Sequence, residues 1–268
     1  MAQGADAVEI DVRLAADGTP VVIHDETFER LWSDPHPIGS LTWPEIARLG
    51  GPAERVPRLA EALELSIATG VPLVIDQKSP AAGLAAARLV DRISASRTAF
   101  CGSADGLLEI RALLPEATIF CNVERVEPLD PYLLAAMRPQ YYNPYWLTVS
   151  PAMIRTLHSL GIAVCCWTPN DDGDLALVLD LGVDAVMTDR VGALGTLLDA
   201  RGPYRESAKP AWPQAVSAAT VSAATVSAAT VSAATVAPDG TTPAPTAAAA
   251  ARRSARHAPA PARADDHR

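Results

Sequence analysis

The chain has 268 residues, enough for one large domain or two small ones, and 49% of them are hydrophobic, which allows a sizeable core. Its formal net charge of −9 argues against a nucleic-acid-binding surface. The four cysteines lie in apolar runs without CxxC or metal-ligand spacing, so we expect buried, reduced thiols. No apolar stretch is long enough to cross a bilayer and no signal peptide is visible, so a cytoplasmic location is the expectation.

The first predicted elements are two short strands joined by a tight turn. Apolar and polar residues alternate over 7–12, which places Glu9 and Asp11 on one face of a strand. The turn at Asp17-Gly18 is a strong hairpin signal, and antiparallel pairing about it brings His24 opposite Asp11 to within one residue. Two carboxylates beside an imidazole suit a hard divalent cation and proton transfer. A solvated polar face on an ordinary hairpin is the alternative.

Strands and helices then alternate as far as residue 189. Predicted strands cover residues 71–76, 98–101, 117–121, 141–144, 162–167 and 185–189. Predicted helices cover residues 60–69, 81–94, 104–114, 131–137, 151–160 and 173–181, after a loop-rich passage over 27–51 with one short helix capped by Thr42. Strands separated by such helices pair in parallel through right-handed crossovers. With residues 9–11, the pattern predicts seven parallel strands of an α/β barrel of the (β/α)8 type, which needs eight.

Polar residues at the carboxyl ends of these strands mark the predicted site, because barrel enzymes carry their chemistry there. The candidates are Glu9, Asp11, Asp76, Lys78, Trp167, Thr188 and Asp189. An ordinary strand exit at Asp76 and a packed aromatic ring at Trp167 are the alternatives.

These motifs together resemble the glycerophosphodiester phosphodiesterase family. Its G-A-D-x-x-E-x-D-V, D-G and V-V-x-H-D elements correspond to residues 4–12, 17–18 and 21–25. Its L-x-I-E-I-K, V-W-T-V-N and G-V-D-G-I-I-T-D elements are similar to residues 73–78, 166–170 and 182–189. Several motifs in the family's order are far more specific than any one of them.

The resemblance implies a metal-dependent phosphodiesterase on a TIM barrel. Its small-molecule partners would be glycerophosphodiesters, which it would hydrolyse to glycerol 3-phosphate and an alcohol. A sphingomyelinase D-like substrate is a further alternative. The implied roles are metal ligands for Ca²⁺ or Mg²⁺ at Glu9, Asp11 and Asp76, a general acid or base at His24, a phosphate contact at Lys78, and a floor for the glycerol or alcohol group at Trp167.

The sequence departs from the family pattern in two respects. Asp76 stands where the family has glutamate, which shortens the reach of the carboxylate by about 1.5 Å. A first strand ending in His-Arg-Gly and a helix preceded by Pro-Glu-Asn-Thr have no counterpart, so the first β/α unit is missing and two unpaired sheet edges are expected. A start assigned too far downstream and a degenerate relative acting as a binding protein both explain this pattern.

The composition changes near residue 205. Four tandem Val-Ser-Ala-Ala-Thr copies fill residues 216–235, and Ala/Pro/Arg-rich sequence follows to the end. A period of five matches neither a helix nor a strand, and a segment with no aromatic residue after Trp212 cannot bury a core. We therefore predict a phosphodiesterase domain over 1–204 and a disordered tail over 205–268.

Overall fold

The computed structural model describes residues 4–51, 54–95, 97–125 and 129–201. The predicted tail over 205–268 lies outside the described residues, so its predicted disorder stays a prediction.

The described part of the chain contains strands and helices in close alternation. The strands are β1 (Val8–Leu14), β2 (Pro20–Val22), β3 (Thr27–Phe28), β4 (Asp34–Pro37), β5 (Leu73–Gln77), β6 (Thr98–Gly102), β7 (Thr118–Val123), β8 (Tyr141–Pro144), β9 (Ala163–Trp167) and β10 (Ala185–Met187). The helices are α1 (Glu29–Trp32), α2 (Trp43–Ile46), α3 (Leu59–Thr69), α4 (Pro80–Arg92), α5 (Ala104–Leu113), α6 (Pro131–Met137), α7 (Pro151–Ser159), α8 (Asp172–Leu181) and α9 (Val191–Ala200). None of the helices in these ranges combines the length and apolar character that a membrane crossing requires.

Eight of the strands form one curled sheet in the order β10-β9-β8-β7-β6-β5-β1-β2. The seven strands from β10 to β1 pair in parallel, and β2 joins β1 in the antiparallel sense. This is the predicted architecture, with seven parallel strands of a barrel and a hairpin partner. Within the described residues, β2 pairs with Val12–Leu14 on one side and forms a single antiparallel bridge from Val21 to Arg58 on the other, while no strand covers the outer edge of β10. Of the two predicted open edges, the one at β10 is therefore present in this part of the chain, whereas the β2 edge is partly covered by the segment at Arg58.

The register of β1 fixes the positions of the acidic residues. Asp11 pairs with Asp76 across the parallel β1–β5 ladder, so both side chains project from the same face of the sheet. On its other side β1 pairs Val12 with Val22, and the backbone N–H of Ile23 donates to the Asp11 carbonyl at 3.0 Å. His24 is therefore one residue beyond the position opposite Asp11, as predicted within one residue.

The sheet has an apolar layer on each face because side chains alternate along every strand. The helix-facing layer includes Ile10, Ile75 and Phe100, packed with residues of the surrounding helices. The inner layer of the curled sheet consists of Val74, Ala99, Cys101, Phe120, Tyr141 and Cys165. Phe120 and Tyr141 stack there with ring centroids 4.2 Å apart. The polar residues at the carboxyl ends of the strands lie directly beyond this inner apolar layer.

Helix caps fix where each helix leaves its strand. Ser79 accepts a hydrogen bond from the Ala82 N–H at the start of α4, and Ser150 does the same for Met153 in α7. Thr42 forms the predicted cap of α2 in a reciprocal capping box with Glu45.

The passage over 27–51 is more ordered than its loop signals predict. The short strands β3 and β4 pair there in the antiparallel sense. Phe28, Ile38 and Ile46 are buried in a separate small core with residues of the first hairpin. Tertiary burial of these few apolar side chains overrides the prolines and polar residues that indicate a loop.

Candidate active site

A lysine lies between two aspartates where β1 and β5 run side by side. The Lys78 Nζ is 2.6 Å from Asp11 Oδ1 and 2.6 Å from Asp76 Oδ2. The backbone N–H of Lys78 donates to the Val12 carbonyl at 3.1 Å, which holds the residue against β1 as the chain leaves β5. All three charged side chains are only about one-fifth exposed, with fractions of 18 to 23%. The pair of aspartates therefore shares one ammonium group in a partly buried setting.

The pKa values reflect this sharing. Burial alone lowers the pKa of Lys78, but its hydrogen bonds to Asp11 and Asp76 outweigh burial and raise it above the usual lysine range. Burial raises the pKa of Asp76, and the hydrogen bond and charge of Lys78 offset that rise only in part. One ammonium cannot fully compensate two carboxylates, so the cluster keeps excess negative charge.

Glu9 adds a third carboxylate to this cluster. Its side chain is open to solvent at one side, while protein atoms surround the carboxyl group elsewhere. Burial, followed by repulsion from Asp11 and Asp76, raises the pKa of Glu9 to about 8. Asp189, after the end of β10, contributes a smaller repulsion. Glu9 thus holds its proton to a higher pH than an ordinary glutamate because negative charge accumulates around it.

The oxygen donors fit a divalent cation. One carboxylate oxygen each of Glu9 and Asp76 lies within 4.8 Å of the other and of the Cys101 Sγ. Asp76 Oδ2 contacts the Lys78 ammonium. Its other oxygen, Oδ1, lies close to the backbone of Gly102, since a Cβ added to that glycine would be 2.9 Å from Oδ1. Once Glu9 releases its proton, three carboxylates against one ammonium leave a net charge that a divalent cation would balance. Asp11 is linked to this group of donors by Lys78, whose ammonium contacts both Asp11 and Asp76.

His24 is fixed by its neighbour in sequence. Its Nδ1 is 3.0 Å from Asp25 Oδ1, and Arg30 Nε donates to Asp25 Oδ2 at 2.6 Å. The Arg30 hydrogen bond keeps the pKa of Asp25 below its usual range, so the aspartate stays charged and orients the imidazole. The His24 side chain is 70% exposed, and its Nε2 makes no hydrogen bond to any described residue. The backbone N–H of Ile23 donates to the Asp11 carbonyl at 3.0 Å, so the chain enters His24 directly beside the carboxylate cluster.

A cavity of about 280 Å³ opens beside Lys78, and Arg13, Glu26 and Ser79 contribute to its lining. Arg13 Nε donates to the His24 carbonyl at 3.0 Å, which ties the rim of this cavity to the His24 segment. Arg13 was not among the predicted site residues, although its spacing of two residues from Asp11 places it on the same strand face.

The opposite side of the inner face is polar but uncharged. Asn143 Nδ2 donates to Asn122 Oδ1 at 2.7 Å, and Trp167 Nε1 donates to the Asn143 carbonyl at 3.0 Å. The buried Asn143 Oδ1 has no hydrogen-bond partner among the described residues. Trp167 also contacts Tyr145, with ring centroids 5.4 Å apart. Neither asparagine was predicted as a site residue, and their position at the ends of apolar strand runs was the available signal.

The structure thus brings five of the six residues with an implied role into one neighbourhood. Glu9, Asp11, Asp76 and Lys78 lie on β1 and β5 or directly after them, and His24 follows β2 beside them. Trp167 ends β9, separated from β5 in the sheet order by β6, β7 and β8.

Comparison with known proteins identifies the family to which the chain belongs. The sequence pattern of the glycerophosphoryl diester phosphodiesterase family matches residues 1–193. The chain belongs to this family. Its members are enzymes, and the cluster at the strand ends of β1 and β5 lies where a barrel enzyme places its chemistry.

Individual relatives agree with the family assignment. A glycerophosphodiester phosphodiesterase from Caldanaerobacter subterraneus subsp. tengcongensis is 25% identical over 206 residues, covering 70% of this chain and 84% of the relative. The solved structure of an Oleispira antarctica phosphodiesterase, in complex with the product sn-glycerol-3-phosphate, superposes with a TM-score of 0.67 at 22% identity, over 74% of this chain and 87% of that one. A glycerophosphodiester phosphodiesterase from Parabacteroides distasonis gives a TM-score of 0.64 at 24% identity, over 74% and 86%. The two structures establish the shared barrel-type fold.

Proposed function

We propose that the chain hydrolyses glycerophosphodiesters to glycerol 3-phosphate and an alcohol, with a divalent cation of the Ca²⁺ or Mg²⁺ type at the carboxylate cluster. The observation that carries the proposal is the single ammonium of Lys78 set among Glu9, Asp11 and Asp76. Such a mixture of fixed positive and negative groups is suited to a phosphodiester, whose anionic oxygens need cationic partners. The names of the relatives support the substrate class.

Glu9, Asp11 and Asp76 would hold the cation, which when bound supplies charge neutralisation at the phosphate oxygens. Lys78 donates a hydrogen bond to a further phosphate oxygen, and its position between two carboxylates keeps it protonated. Binding of the phosphate at Lys78 would redistribute the hydrogen bonds that its ammonium now makes to Asp11 and Asp76. The preorganised positive charge stabilises the extra negative charge of the transition state.

His24 is the proton-transfer group of this proposal. Its Nδ1 is held by Asp25, so Nε2 is the atom that can give a proton to the leaving alcohol oxygen or take one from the attacking water. The water oxygen forms the new bond to phosphorus while the bond to the alcohol oxygen breaks, and the proton from water ends on the alcohol or in solvent. Asp25, kept charged by Arg30, orients the imidazole through the contact to Nδ1.

The uncharged side of the site would contact the organic part of the substrate. Trp167 offers an apolar ring surface for the glycerol or alcohol group, and the hydrogen bond from its Nε1 to the Asn143 carbonyl holds the ring in place. This assignment concerns binding rather than chemistry.

The test is release of glycerol 3-phosphate from glycerophosphocholine with Ca²⁺ or Mg²⁺ and with EDTA, for the wild-type chain, His24→Ala and His36→Ala. His36 is the matched control because it is also exposed and paired with an aspartate, Asp34, but belongs to β4. We expect metal-dependent turnover that His24→Ala lowers about 10²–10⁴-fold and His36→Ala leaves unchanged. Equal loss in both variants, or turnover insensitive to EDTA, would contradict the proposal.

Sphingomyelin serves as the second substrate in the same assay. Hydrolysis of sphingomyelin in preference to glycerophosphocholine would assign the sphingomyelinase D-like activity instead. A folded wild-type chain that hydrolyses neither substrate would favour a binding role for this domain.

A further inference from the structure

The Cys101 thiol lies directly against the carboxylate cluster. Cys101 pairs with Asp76 across the β5–β6 ladder, so the two side chains project from the same inner face. Its Sγ lies within 4.8 Å of a carboxylate oxygen of Glu9 and of Asp76. The residue is only 2% exposed and makes no hydrogen bond to the described residues through its thiol. A buried sulfur with no hydrogen bond in this part of the chain thus faces two carboxylates.

The other cysteines do not share this environment. Cys121 and Cys166 belong to the apolar layer between the sheet and the helices. Cys165 belongs to the inner layer with Cys101 but is not part of the group around Glu9 and Asp76. Within the described ranges, Glu9, Asp76 and Cys101 form the one group of three acidic, histidine or cysteine side chains with ligand atoms this close.

The hydrogen bonds of the cluster leave these three donors available. Asp11 directs Oδ1 to the Lys78 ammonium, and Asp76 directs Oδ2 to the same group. The remaining Asp76 oxygen, Oδ1, faces β6 at Gly102, next to Cys101 in the chain. Glu9 forms no ion pair with any described residue within 4.0 Å. Each aspartate keeps one oxygen that Lys78 does not bind, but Asp76 is the one grouped with Glu9 and the Cys101 sulfur by distance, so a cation at this group would bind Glu9, Asp76 and the sulfur.

We infer that Cys101 is a metal ligand together with Glu9 and Asp76, and that this sulfur lets the site also bind borderline divalent cations of the Zn²⁺ and Co²⁺ class, in addition to the Ca²⁺ or Mg²⁺ of the proposed function. The inference rests on the proposed function only in placing the cation at the same carboxylates. Thiolate binds borderline and soft cations, whereas Mg²⁺ and Ca²⁺ take oxygen ligands. On binding, the S–H proton passes to solvent and the sulfur lone pair forms the metal–sulfur bond, with no change of oxidation state. Glu9 at the exposed side leaves room for a substrate ligand.

The test is a Co²⁺ titration of the whole chain under reducing conditions, followed by near-ultraviolet absorption, where a thiolate-to-cobalt charge-transfer band appears only if sulfur binds the metal. We expect a saturable band in the wild type and in Cys165→Ser, which removes the other inner-layer thiol. We expect no band in Cys101→Ser, with affinity weakened about 100-fold or more. Zn²⁺ at stoichiometric concentration should abolish the wild-type band, whereas a large excess of Mg²⁺ should not.

A second variant covers the case in which Cys101→Ser fails to fold. Glu9→Gln alters an exposed side chain, and we expect it to retain the band at saturation but to require about 10- to 100-fold more Co²⁺. Co²⁺ binding without a thiolate band in the wild type, a band that persists in Cys101→Ser, or no Co²⁺ binding at all would each overturn the inference.

The outcome is separable from that of the proposed function. Metal-dependent hydrolysis of glycerophosphocholine without a thiolate band would sustain the proposed function and refute the cysteine ligand. A thiolate band that Cys101→Ser removes, in a chain without hydrolytic activity, would support the cysteine ligand and refute the proposed function.

Discussion

The two sides of the inner face differ in charge. On and directly after β1 and β5, three carboxylates lie around one ammonium, and burial together with repulsion between the carboxylates raises the pKa values of Glu9 and Asp76. On β7, β8 and β9, the polar groups are the amides of Asn122 and Asn143 and the indole of Trp167, joined by neutral hydrogen bonds. The charged cluster on β1 and β5 therefore lies on the side where the proposed function requires the phosphate and the cation to bind. The neutral side can vary its contacts without altering the electrostatics of the reaction.

Among the substitutions discussed below, the largest expected effect on turnover is that of removing the ammonium group from the carboxylate cluster. Lys78→Met leaves Asp11 and Asp76 facing each other without a cation. We expect glycerophosphocholine turnover to fall about 10²–10³-fold, since a preorganised transition-state donor is lost. The metal-free chain should lose about 1–3 kcal/mol of unfolding free energy in urea titration, a range reduced from that of fully buried pairs because the groups are partly exposed.

Arg190→Met is the control for this prediction, because Arg190 forms an ion pair with Asp172 in which both side chains are more than half exposed. It should change the unfolding free energy by about 0.5 kcal/mol or less. Equal destabilisation by the two substitutions would show that the Lys78 cluster is no more than a surface ion pair.

Gly102→Ala probes the backbone support of Asp76. Gly102 has φ of +118°, and an added Cβ would lie 2.5 Å from the Gln77 carbonyl oxygen and 2.9 Å from Asp76 Oδ1. We expect a loss of about 2–4 kcal/mol in unfolding free energy, from left-handed strain and a backbone clash together. Weaker metal binding should accompany it.

Gly173→Ala is the matched control, since Gly173 sits in helix α8 and a Cβ added there would meet no neighbouring side chain of the described residues within 4 Å. It should be neutral or stabilising by about 0.5–1 kcal/mol. A Gly102→Ala variant as stable as this control would contradict the close approach at Asp76.

The pH dependence of stability should reveal the charge on Glu9. Its pKa is raised from 4.5 to about 8 in the folded chain by burial first and then by Asp11 and Asp76. Between these values the folded state holds a proton that the unfolded state has released, so this contribution to stability is complete below the unfolded pKa and is lost as pH rises through about 8. Denaturant titrations of the metal-free chain from about pH 5 to about pH 9 should show the decline, and Glu9→Gln should flatten it. An identical decline in Glu9→Gln would assign the effect to other groups.

The smallest effect is expected on the neutral side. Trp167→Phe keeps an aromatic ring but removes the hydrogen bond from Nε1 to the Asn143 carbonyl. We expect a loss of about 0.5–1.5 kcal/mol in stability and a KM for glycerophosphocholine raised about two- to fivefold, with kcat nearly unchanged. A fall in kcat without a change in KM would place Trp167 in the chemistry instead.

Local signals in the sequence predict most of the fold. Helix α6 begins and ends at the predicted residues, because Asp130 caps it and Pro131 occupies its first turn. Strand β8 occupies the predicted residues 141–144 despite its short run. The pairing of β3 with β4 was not predicted, because it depends on burial of Phe28 against residues distant in sequence.

The site was predictable as a set of residues but not as a set of contacts. Alternation within a strand places Glu9 and Asp11 on one face, and strand ends single out Asp76 and Lys78. The bridging position of Lys78 and the approach of Cys101 depend on the register between β1, β5 and β6, which no local pattern encodes. Contacts across parallel strands are set by the assembled sheet.

The division between the two sides can be tested most directly with two substrates that differ only in the alcohol, glycerophosphocholine and glycerophosphoethanolamine. Metal-dependent kcat and KM would be measured for the wild type, His24→Ala and Trp167→Phe. We expect His24→Ala to lower kcat by a similar factor on both substrates, while Trp167→Phe changes the ratio of their KM values and leaves kcat nearly constant. A Trp167→Phe variant that loses as much kcat as His24→Ala would contradict the assignment of chemistry to the charged side alone.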